Sequence, residues 1–203
     1  MGISCYSFEV NPLMYLIAKV KLENNYAKSE LEYWFSHVYR YRKNVKIDVL
    51  KSPFITLYQR NDIKKWNYNT EVAIAIEKLK KAIYSVDEIK YRELFTVALA
   101  SILLDVSNLY RNGKCLSYKK GWAARNITEK YVFDKFDEKV RTELYVDINN
   151  QKVLAQVNNK ALLYNGDSRV GIEDNVEDDS IDLVITSPPY LNSRDYTDTY
   201  MLE

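Results

Sequence analysis

Apolar side chains in the first 150 residues recur mostly at intervals of three and four, while two short runs beyond them are apolar without that period. Leu13, Leu16, Ile17 and Val20 form a stripe one helical face wide, and Asn11 followed by Pro12 supplies a cap and a first-turn residue for that helix. Ser29 with Glu32 has the spacing of a capping box and predicts a helix through Arg42. Thr70 predicts the start of another, through Tyr84. Leu94, Val97, Ala98, Ser101, Ile102 and Asp105 predict a third over 89–110, with Asn112-Gly113 as its stop, and Tyr131, Phe133, Phe136 and Val140 a fourth over 128–142. The remaining runs, at 161–165 and 181–186, are short enough for strands. The last is almost wholly apolar and ends at a Pro pair, which suits a parallel strand buried on both faces.

Composition narrows the class. With 203 residues, 47% hydrophobic and 28% charged, the chain has room for one or two globular domains. The apolar stretch Leu94–Leu104 is broken by Thr96 and Ser101 and falls short of the ~20 residues of a membrane span, so it reads as a buried helix. Cys5, Cys115 and the single histidine, His37, are too few for a disulfide framework or a metal site, so no metal is expected and a cytoplasmic location follows. The net charge of +1 conceals an asymmetry: residues 161–203 hold ten acidic and two basic side chains, which leaves the positive charge on residues 1–160. Two runs there, Tyr39–Lys46 and Tyr118–Arg125, mix cations with aromatics as phosphate-contacting segments do.

The chemistry concentrates around Ser187-Pro188-Pro189-Tyr190, which follows the last apolar run, within DLVITSPPYLNSRDY. This stretch resembles the SPPY motif of site-specific DNA methyltransferases that act on base amino groups with S-adenosylmethionine. Two further stretches are similar to the same family. CYSFEVNPLMYLIAKVKL, Cys5 to Leu22, resembles its second cofactor motif, with Glu9 at the ribose and Asn11 beside it, and ALLYNGDSR, Ala161 to Arg169, resembles its third, with Asp167 at the adenine amine. The segment LASILLDVSNLYRNGKCLSYKKGW is also similar to that family.

The residue types fit the reaction that the resemblance implies. An amine on a cytosine or adenine ring is a poor nucleophile because its lone pair is delocalised into the heterocycle. Two prolines in succession have restricted φ and no N–H, so the carbonyls of Ser187 and Pro188 can be held toward that amine, with the Ser187 hydroxyl as a further partner. Tyr190 can then stack on a base drawn out of the duplex. Serine at the first motif position favours cytosine N4; adenine N6 is the alternative target, and a non-catalytic remnant that binds DNA or a partner is another.

The implied fold is α/β: a partial Rossmann-like methyltransferase sheet with a large inserted helical subdomain. Residues 1–27 would hold the second strand, near 4–10, and its helix, 28–150 the insertion, and 151–203 the third and fourth strands with the SPPY motif. The five glycines are too scattered to form the Gly-rich turn that normally receives the methionine end of the cofactor. The expectation is therefore part of a methyltransferase from a restriction-modification system, inactive by itself, which binds double-stranded DNA and is completed by a complementary fragment.

Overall fold

In the computed structural model, residues 4–48, 50, 55–113, 115–154 and 161–187 are described. The protein is a mixed α/β chain with a small parallel sheet and many helices. It divides into two units, one drawn from residues 1–25 and 150–194, the other dominated by residues 26–149.

In the first unit, strands β1 (Cys5–Glu9) and β4 (Ala161–Asn165) pair in parallel, from Cys5 opposite Ala161 to Glu9 opposite Asn165. Helix α1 (Pro12–Leu22) starts where the sequence predicts, because the Asn11 side chain accepts the amides of Leu13 at 2.9 Å and Met14 at 3.3 Å. On the sheet, Phe8 stacks on its register partner Tyr164 with ring centroids 5.2 Å apart. Helix α7 (Ser168–Asn175) approaches that stack through Gly171, where a Cβ atom would lie 2.6 Å from the Phe8 ring. A glycine is what lets this helix come so near the strand.

The third expected strand is not formed. Residues 181–186 belong to no helix or strand, and Leu183, Val184 and Ile185 are 74–88% exposed. The run has no polar alternation, so as a strand it needs cover on both faces and a neighbour to bond to. No strand among the described residues pairs with it.

The second unit is built from helices α2 (Lys28–Asn44), α3 (Thr70–Tyr84), α4 (Ile89–Val106), α5 (Glu129–Glu138) and α6 (Tyr145–Leu154), with a hairpin of β2 (Leu109–Asn112) and β3 (Cys115–Tyr118). Phe35, Phe95 and Phe136, from three different helices, meet at its centre with centroids 6.4–6.5 Å apart. Val72, Ile76, Leu79 and Ile83 give α3 the buried stripe that its period predicts.

Two local expectations are corrected. The start of α2 has no side-chain cap from Ser29. Instead the hydroxyl of Tyr91, 64 positions along the chain, accepts the Ala27 amide at 2.8 Å. Helix α4 stops at Val106 rather than running to 110, and Asn112-Gly113 serves the β2–β3 turn, with Gly113 at φ 58°. The end of α4 is instead held by Lys119, whose ammonium donates to the carbonyls of Leu104, Asp105 and Ser107 at 3.3, 3.2 and 2.9 Å, and by Arg125, which donates to Ser107 at 2.6 Å.

Between α5 and α6 the helix widens into a π turn over Lys139–Leu144. The sequence explains it. Val132, Phe136, Val140, Leu144 and Ile148 are all buried at a strict spacing of four. On a helix of 3.6 residues per turn that spacing drifts by ~40° a step and ~160° over the run. A locally wider winding takes up the drift and keeps all five side chains inside.

Candidate functional site

The carboxyl ends of β1 and β4 carry the acidic residues singled out in the sequence. Glu9 ends β1, and its backbone carbonyl accepts the Gly166 amide at 3.1 Å, one residue before Asp167. The Glu9 side chain accepts the Asn11 amide at 2.7 Å through Oε1, so Glu9 is fixed by the same turn that caps α1. Its Oε2 has no partner among the described residues.

Asp167 caps α7 and accepts the Arg169 amide at 2.9 Å. The guanidinium of Arg169 also closes on the carboxylate, with Nε 3.0 Å from each oxygen and Nη2 on Oδ2. These bonds from Arg169 lower the Asp167 pKa to about 2. Glu9, Asn11 and Asp167 therefore lie at or just beyond the carboxyl ends of the two paired strands, each side chain held by contacts within two or three residues of itself.

Ser187 is exposed and follows the unpaired apolar run; Pro188, Pro189 and Tyr190 lie outside the described residues. Arg169 went unnoticed in the sequence reading. Its only signal was its position two residues beyond Asp167, within reach of the carboxylate.

The two basic runs contribute less free charge than their composition suggests. Arg42, 2% exposed, makes a bidentate pair with Asp137 at 2.6 and 2.8 Å and sits between the rings of Tyr39 and Phe133, at 4.7 and 4.4 Å. Lys119 and Arg125 are spent on the end of α4. Burial, reinforced by the nearby Arg125 charge, lowers the pKa of Lys119. Among the described residues no group of three or more His, Cys, Asp or Glu side chains could hold a metal ion. Nor is any helix there long and apolar enough to cross a membrane.

No family model matches the chain, and neither does any solved structure. Curated relatives do. The chain is 25% identical to the Type II methyltransferase M.MvaI of Kocuria varians, over 95% of its own length and 43% of that protein's. It is 27% identical to the Type II methyltransferase M.AvaI of a Nostoc species and of Anabaena variabilis, over 80% of its own length and 39% of theirs. The chain is thus similar to Type II DNA methyltransferases along most of its sequence, and spans about two-fifths of the length of these relatives.

Proposed function

We propose that this chain is part of a site-specific DNA methyltransferase of a restriction-modification system, acting in the cytoplasm on an exocyclic base amine, cytosine N4. The observation that supports this reading is the register of β1 with β4, which sets Glu9 opposite Asn165, two residues before Asp167, at the carboxyl edge of a parallel sheet. Open α/β sheets bind their ligands at that edge. In this reading the two strands belong to a Rossmann-like sheet formed by residues 1–27 and 151–203, and residues 28–150 are a helical insertion.

The residues present fit the ribose and adenine ends of S-adenosylmethionine. Glu9 offers Oε2 to ribose hydroxyls, and Asn11 keeps the Glu9 carboxylate in place by holding the turn. Asp167 offers a carboxylate to the adenine amine, but Arg169 must first swing off it. The cofactor supplies the methyl group as a sulfonium. Ser187, with the Pro188 and Pro189 backbone, accepts hydrogen bonds from the target amine so that its lone pair faces the methyl donor, and Tyr190 stacks on the flipped base. The amine proton then leaves to solvent, either directly or relayed by the Ser187 hydroxyl, which gives up its own proton as it accepts one.

A Gly-rich turn for the methionine end is not among these 203 residues. In this reading that turn is supplied from outside these residues, on the same polypeptide or on a partner. Calorimetric titration with S-adenosylmethionine tests this, using the chain alone and then mixed with a polypeptide that carries such a turn. Binding only in the mixture, lost in Glu9→Gln, with N4-methylcytosine detected in the DNA product, is the expected result. Ser187→Ala should then slow transfer while cofactor affinity holds. Micromolar binding by the chain alone would overturn the need for such a turn, and full activity of the Ser187→Ala mixture would overturn the catalytic assignment.

A further inference from the structure

Of the cations in the run Tyr39–Lys46, the structure takes Arg42 into the core and leaves Arg40 outside. Arg40 donates through Nε to the Ser36 carbonyl at 3.2 Å, a bond along its own helix that leaves both terminal amino groups without a partner among the described residues. It lines an open cleft of about 440 Å³ with Phe35, Ser36, Tyr39 and Arg141. Arg141 comes from the π turn, and its guanidinium lies 5.0 Å from the centroid of the Phe35 ring. That contact steers the cation without neutralising it.

Three carboxylates on α5 and the π turn are already committed. Asp137 is held by Arg42, Glu138 by Lys135 and Glu143 by Lys139, and neither Arg40 nor Arg141 has a carboxylate partner among the described residues. Glu32, one turn before Ser36, does not line the cleft; its carboxylate and the Arg141 cation act in opposite directions on the Tyr145 hydroxyl, and it makes no ion pair with either arginine among the described residues. At the rim, the Lys43 ammonium sits 4.0 Å from the centroid of Tyr39 and adds a third positive charge. Two forked donors with a serine and a tyrosine around one open cleft supply the hydrogen-bond donors that a phosphodiester takes, and guanidinium engages phosphate in bidentate fashion.

We propose that Arg40 and Arg141 form a clamp for the phosphate backbone of duplex DNA, which positions the substrate without reading its sequence. The clamp rests on the reading of DNA as the substrate. It predicts that each arginine neutralises one phosphate, so that each contributes about 0.9 to the slope of log affinity against log salt.

The test is fluorescence anisotropy of the full chain with a labelled random-sequence duplex over a salt series. Arg40→Gln with Arg141→Gln is expected to weaken binding by roughly tenfold at low salt and to flatten the slope by about 1.8. Arg40→Lys with Arg141→Lys should restore the slope, and Lys80→Gln, elsewhere on the helical unit, should change it little. Equal thermal melts establish that the variants fold. If the double glutamine variant binds as the wild type does, or if Lys80→Gln has the same effect, the clamp is wrong while DNA remains the substrate. If the wild-type chain binds no duplex at low salt, the clamp is equally wrong, and the methyltransferase reading then stands or falls on the cofactor titration.

Discussion

The helical unit and the sheet unit handle apolar side chains in opposite ways. The first buries Leu31, Val38, Val72, Leu79, Phe95, Val106, Val132 and Phe136 almost completely, and it draws even Arg42 and Asn108 inside. Among the described residues of the second, only the apolar side chain of Val20 is buried, while Val10, Val170 and the run at 183–185 face outward. Two strands with such light cover are marginal as an independent structure. The acidic residues of the candidate site are therefore carried by the part that packs least, and the helical unit supplies most of the stability. Polar groups follow the same division. In the helical unit Arg42, Lys119 and Tyr91 are engaged in holding the fold; in the sheet unit Glu9 keeps an oxygen open and Ser187 is exposed.

Substitutions can sharpen or break this contrast. Phe136→Ala, at the aromatic centre, is expected to cost about 4 kcal/mol in denaturant unfolding. A loss under 1 kcal/mol would show that the helical unit is not the source of stability. Arg42→Ala should cost about 3 kcal/mol by leaving Asp137 half-buried and unpaired, whereas Arg42→Met with Asp137→Leu should return to within about 1 kcal/mol of wild type.

Tyr91→Phe removes the hydroxyl that caps α2 and should cost about 1–2 kcal/mol. Burial first, and then the Glu30 carboxylate, raise the Tyr91 pKa to about 12. The folded state therefore holds the proton more tightly than the unfolded chain. The contribution is whole below the ordinary tyrosine value of ~10 and fades as the pH rises toward 12. Unfolding curves across that window should show the fade in the wild type and not in the phenylalanine variant. The smallest effect belongs to the sheet unit: Ile185→Ser should shift stability by no more than about 0.5 kcal/mol, because the side chain is already 88% exposed.

What the sequence disclosed follows the range of the forces involved. The start of α1 at Asn11-Pro12 and the span of α3 were legible because their causes lie within a few residues. The strand at 161–165 was legible as an apolar run, whereas the one near 4–10 and the parallel pairing were implications of the family resemblance. The start of α2 was misread because its cap comes from Tyr91, which no local pattern announces. Asn112-Gly113 was a correct turn signal assigned to the wrong element, since a helix stop and a hairpin use the same dipeptide. Arg42 carried the composition of a phosphate contact, yet its partner Asp137 lies 95 positions away. At the sheet edge, Glu9, Asn11 and Asp167 could be placed because strand ends and helix caps are local. The closing of Arg169 on Asp167 depends on a side-chain rotamer that no local pattern announces.

The four-residue stride behind the π turn also bears on how this helix tolerates changes in length. Deleting Thr142 would leave the buried positions spaced four, four, three and four, a stripe that an ordinary α-helix keeps on one face. The shortened helix is expected to rewind regularly with its core intact, observable as a melting temperature close to wild type. In that sense the turn behaves as a one-residue insertion that the interior does not need, and its outer face, where Arg141 stands, is free to diverge without disturbing the packing beneath it.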